Sequence, residues 1–151
     1  MKEWVLPIVM ASLGSLAFSM FFGVRSKKLI YSAIGGAINW GVYLVFMEIG
    51  VMEPLAYAIG AAAGTLYAEI VARIAKTPVT VFIITSVIPM VPGGSLYYTM
   101  LGLMQGNHEV FAEKGAYTLA AAGAMALGIF TATMLFRTTL ALINGAKRIR
   151  H

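Results

Sequence analysis

Apolar positions occur in five long runs, and short polar stretches separate them. The runs cover approximately Trp4–Val24, Leu29–Met47, Pro54–Ala75, Val79–Met104 and Ala116–Ile143. A helix that crosses a bilayer needs ~20 predominantly apolar residues, and each run is close to that length or longer. No linker or low-complexity stretch divides residues 1–151. The pattern predicts an all-α integral membrane protein, one transmembrane domain of five helices. The first run exceeds the ~7–15 apolar residues of a signal-peptide core. Arg25-Ser26-Lys27-Lys28 would stop transfer after it, so it is expected to remain as a mature helix.

The fourth run carries Ile88-Pro89-Met90-Val91-Pro92-Gly93-Gly94-Ser95 at its middle. Proline removes a backbone donor and clashes with the preceding turn. Glycine is poor in helix interiors and proline worse. The fourth helix is therefore expected to break over 89–94 into two half-helices, about Pro78–Ile88 and Ser95–Gln105, near the bilayer midplane. Thr77 and Pro78 are the expected N-cap and first-turn residues of the first half, and Ser95 the cap of the second. Non-helical backbone at that depth survives only against protein or a water-filled cavity. A half-helix N-terminus there offers free N–H groups to a carboxylate or phosphate, as discontinuous helices do in transporters. The alternative is a proline kink that serves packing.

Composition strengthens the membrane assignment: 60% of the chain is hydrophobic and the mean hydropathy is +0.84, where soluble domains are roughly half apolar. With no cysteine, the chain has neither a disulfide framework nor a thiolate metal site. Two histidines, His108 in a predicted outer loop and His151 at the end, are too few for a metal cluster. No cofactor is expected. The net charge of +5 follows topology rather than nucleic-acid binding. Arg25, Lys27, Lys28, Arg73, Lys76, Arg137, Lys147, Arg148 and Arg150 fall on one side, and only Lys2 and Lys114 on the other. That asymmetry predicts an outside N-terminus and a cytoplasmic C-terminus in a bacterial-type plasma (inner) membrane.

Polar residues within the runs are the remaining candidates. Glu69 lies ~22 Å from the outer edge of span three at 1.5 Å per residue. Arg73 follows it by four, the favourable order for a helix ion pair. Glu69 is a candidate proton-coupling carboxylate; alternatively the two form a structural pair with Arg73 snorkelling. Arg137 either anchors the interface or neutralises substrate or Glu69. Asn39, mid-span in the second helix, needs a partner helix or a polar cavity. The candidate substrate-binding set is Pro89, Pro92, Gly93, Gly94, Ser95, Tyr98 and Asn39. Tyr97 and Tyr98 cannot share a face, so at most one lines a site. Gly60-x-x-x-Gly64 and the row Ala120, Ala124, Gly128 provide small faces for close helix contact. Hydrolase, zinc-protease and nucleotide-binding signatures do not occur in the sequence, and no enzymatic activity is expected.

The segment Pro78-Val79-Thr80-Val81-Phe82, followed by Ile88-Pro89-x-x-Pro92-Gly93-Gly94-x-Leu96-Tyr97-Tyr98-Thr99-Met100, resembles the small-subunit branch of the threonine/serine exporter family. The resemblance implies export of small amino acids, or of a dicarboxylate such as succinate in a related two-component branch. It also implies a larger subunit of the same family as partner. Taken together, the expected function is a secondary exporter subunit for small carboxylate-bearing metabolites, surrounded by membrane lipid, possessing no nucleic-acid partner and able to form homo-oligomers. A membrane scaffold that only stabilises a larger transporter subunit is the alternative.

Overall fold

A computed structural model describes residues 2–149, with side chains for 4–143. The expectations on Arg150 and His151, and on the side chains of Lys2, Lys147 and Arg148, lie outside the described residues. Six α-helices follow in order: α1 (Lys2–Phe21), α2 (Lys28–Glu48), α3 (Glu53–Ile74), α4 (Val79–Val87), α5 (Gly93–Met104) and α6 (His108–Ile149). A 3-10 turn, Ile88–Met90, follows α4 directly. No strand occurs among the described residues. Four helices are long and apolar enough to cross a membrane, and α4 with α5 makes a fifth candidate, bent by 60° at its break. The chain is a multi-pass helical membrane protein.

Short turns join the helices. Gly50 and Gly106 close α2 and α5 at φ of 84° and 68°, a conformation that costs little without a Cβ. The next helix starts differ from expectation. Pro78, with extended ψ of 134°, is the N-cap of α4 rather than its first residue, and Thr77 Oγ1 donates to the Ala75 carbonyl instead. α6 begins at His108 rather than near Ala116, so His108 is helical and the connection between α5 and α6 is only Gln105–Asn107. The cause is a local cap invisible to hydropathy: Asn107 Oδ1 accepts the Val110 N–H at 3.2 Å, with Glu109 in the first turn, where an acid favours the helix dipole. The 42 residues of α6 give a length of ~63 Å, about twice the hydrocarbon thickness.

Small residues set the register. α1 and α2 run antiparallel, Ile8 lying near Gly41 and Ala11 and Ser15 near Gly36, and Ser12 donates to Ala33 O. α2 and α3 are antiparallel, with Gly60 and Gly64 against Asn39 and Tyr43. Phe82 of α4 packs on Ala68, Val71 and Ala72 of α3. α6 runs parallel to α3: Gly128 meets Ala58, and Arg137 faces Glu69. α5 packs antiparallel on the first turns of α6, Gly102 against Phe111 and Thr99 against Gly115. It makes no comparable contact with α1, α2 or α3.

Candidate functional site

The interruption packs against α1, α2 and the first half of α3. Met90 is buried among Tyr43, Tyr57 and Ala61, and the ring of Pro89 packs onto Gly14 of α1. Beside Pro89 lies a hollow of about 270 Å³ lined by Pro7, Met10, Ala11 and Trp40. The indole Nε1 of Trp40 is buried without a hydrogen-bond partner among the described residues.

Helix α4 ends because Pro89 has no N–H to continue it, and the chain tightens through Val91 N–H to Ile88 O at 3.1 Å. The last carbonyls of a helix need other donors. Asn39 supplies one: its Nδ2 donates to Ser86 O at 2.8 Å. Its Oδ1 occupies the notch at Gly64, where an added Cβ would fall 1.3 Å from it. Asn39 thus clamps α2, α3 and the end of α4 together. Asn39→Ala is expected to destabilise the fold by about 1 kcal/mol, whereas Ser86→Ala, which keeps the accepting carbonyl, costs less. Thermal unfolding in detergent distinguishes the two.

Helix α5 starts at Gly93, with Pro92 as an N-cap that provides no side-chain hydrogen bond. Ser95 is not the cap. It lies in the first turn, where its Oγ donates to Pro92 O at 2.9 Å and sits 3.0 Å from Thr118 Oγ1. Of the first-turn amides, Gly93 bonds to Val91 O and Leu96 to Pro92 O. The amides of Gly94 and Ser95 have no partner among the described residues. A Cβ at Gly93 or Gly94 would meet nothing within 4 Å. The start of α5 therefore carries two unpartnered amide donors at the positive end of a helix, with open space beside Gly93 and Gly94. Tyr97 and Tyr98 touch edge to face and both stand exposed on α5.

Glu69, Arg73 and Arg137 come together across α3 and α6. Arg73 Nη1 donates to Glu69 Oε2 at 2.7 Å, and also to the Glu69 carbonyl. Its guanidinium stacks 4.4 Å from the Phe136 ring centroid. Arg137 Nε stands 4.0 Å from Glu69 Oε1, an oxygen with no hydrogen-bond partner. The carboxylate side chain is 3% exposed and the arginines 46% and 63%. Two guanidiniums thus face one buried carboxylate. These three residues are separate from the Asn39–Ser86 clamp and from the start of α5.

A further cluster escaped the sequence analysis. Tyr43 donates to Glu53 Oε1 at 2.9 Å, and its ring lies between Trp40 and Tyr57, with centroids 5.3 and 4.7 Å away. The i,i+4 spacing of Glu53 and Tyr57 was the one local sign of it.

No solved structure matches the chain. The family described as threonine/serine exporter, ThrE, matches residues 7–135, from α1 well into α6. A bundle of apolar helices interrupted by buried polar contacts accords with a transport protein, and on that match the chain belongs to the threonine/serine exporter family.

Proposed function

We propose that the chain is the small subunit of a secondary exporter for small carboxylate-bearing metabolites, of the threonine/serine type or a dicarboxylate such as succinate. The cargo carboxylate binds the N-terminus of α5, between Pro92 and Ser95, with Pro89 and Asn39 holding the break in shape. The observation that carries this reading is the open pair of amides at Gly94 and Ser95, with clear space around Gly93 and Gly94. Charge-assisted bonds to backbone N–H groups are about twice as strong as neutral ones, and a helix end favours an anion further.

In this reading α4 and α5 make one crossing, the fourth of five. The parallel course of α3 and α6 supports it, since a single return between them brings α6 back to the side where α3 starts. The N-terminus is outside and the C-terminus cytoplasmic, following the basic residues. Exposed Leu96, Tyr97, Tyr98, Met100 and Met104 on α5 support association with a larger subunit of the family or with a second copy, because open backbone at membrane depth needs cover. Tyr98 belongs to the site or to that contact.

Glu69 couples export to protons, with Arg73 and Arg137 balancing its charge. Support comes from its burial and from an Oε1 that has no hydrogen-bond partner among the described residues. The expected result is that Glu69→Gln makes the export rate independent of pH in proteoliposomes that hold the assembled exporter. A wild-type rate that is already flat with pH removes the coupling role. Export of labelled L-threonine and succinate from such vesicles tests the function itself, and transport without any contribution from this chain leaves it a scaffold.

A further inference from the structure

Between the end of α1, the start of α2 and the start of α4 lies a cavity of about 450 Å³, within the range of small-molecule sites. Arg25 and Lys28 line it, together with Thr77, Thr80 and Thr85, and no acidic residue does. The first turn of α4, whose N-cap Pro78 provides no side-chain hydrogen bond, opens onto the same space through Thr80 and Val81. Two cations, the Thr80 hydroxyl and a helix N-terminus border one volume, a combination that recognises a carboxylate.

A buried polar seam begins at the cavity wall. Thr85 forms part of its wall and its Oγ1 donates to Ser32 Oγ at 3.0 Å. Ser86 is next in the chain, and its carbonyl accepts from Asn39. Ser32, Asn39, Thr85 and Ser86 are all at most 1% exposed. They form a buried polar seam along the α2–α4 contact, from the cavity to the 3-10 turn. Inside a membrane bundle, such a seam is costly unless its polar groups are used or mutually satisfied.

We propose that this cavity is the cytoplasmic loading vestibule, where Arg25 and Lys28 receive the cargo carboxylate before it reaches the start of α5. The inference rests on the exporter reading and on the orientation given above. Arg25 and Lys28 thereby gain a role beyond topology, which Lys27 does not share, since Lys27 does not line the cavity.

Two measurements test it. The chain has no cysteine, so Thr80→Cys introduces a unique thiol in the wall. In membranes open to the cytoplasmic face, a membrane-impermeant maleimide should label it, and L-threonine or succinate should slow that labelling several-fold while choline does not. Protection should persist when Gly93→Leu is added, so loss of the α5 site and loss of the vestibule are read separately. Absence of protection overturns the proposal, whatever transport shows. In the second measurement, Arg25→Gln and Lys28→Gln should each raise the half-saturating cargo concentration from the cytoplasmic side by about tenfold, the loss of one charge-assisted contact. The maximal rate should be retained, and Arg25→Lys should recover most of the affinity. An equal shift in Lys27→Gln would reduce the effect to general surface charge. Disappearance of the shift in liposomes without anionic lipid would assign the two cations to a lipid phosphate. Either result overturns the proposal.

Discussion

Gly93→Leu and Gly94→Leu should each lower the apparent affinity of the exporter for its cargo by about 10- to 100-fold, while alanine at either position leaves it close to wild type. The difference follows from where the side chains go. A Cβ at either glycine enters open space, so alanine meets no clash and has better helix propensity than glycine. Side chains on a helix lean toward its N-terminus, and a leucine in the first turn would cover the free amides of Gly94 and Ser95. Loss of a hydrogen bond to a charged group costs ~1.5–3 kcal/mol, which converts to the stated range. Cargo concentration dependence in proteoliposomes gives the affinity, and size-exclusion chromatography in detergent establishes that assembly is unchanged. Full affinity in both leucine variants would leave the interruption with a packing role only.

The second large effect concerns stability. Gly128→Ala is expected to destabilise the α3–α6 contact by ~1–3 kcal/mol, the usual cost of overpacking, and to lower the thermal midpoint by several degrees. An added Cβ at Gly128 would fall 2.1 Å from the carbonyl oxygen of Ala58. Backbone cannot rotate away as a side chain can, so the helices must separate. Gly123→Ala, five residues earlier on the same helix, provides the control, because its Cβ would meet nothing within 4 Å. Equal midpoints for the two variants would show that α3 and α6 do not approach each other as closely as described.

The two predictions differ in how far the sequence anticipates them. Pro89, Pro92, Gly93 and Gly94 are legible as an interruption because each restricts or frees its own backbone, whatever surrounds it. The small-residue row through Gly128 is legible only as a surface able to approach something. That its neighbour is the Ala58 carbonyl depends on a segment far away in the chain. Asn39 is similar. Its amide demands a partner in an apolar setting, but Ser86 O becomes that partner only because α4 ends beside it.

By itself, the sequence determined the helical class, the apolar segments, their alternating flanking charge and the prolines and glycines within the fourth run. All of these follow from transfer free energies and local backbone preferences, which are properties of short windows. Tertiary structure alone decided the other features. It set the seating of Ser95 against Thr118, the facing of Glu69 by Arg137 as well as Arg73, and the placement of Arg25 and Lys28 at one cavity with Thr80. Hydropathy sums the preference of each residue for lipid or water, and it contains nothing about rotation or sliding of one helix against the next. Those are settled by where glycine notches admit a neighbour and where a buried polar group finds its donor, across distances that no local window spans.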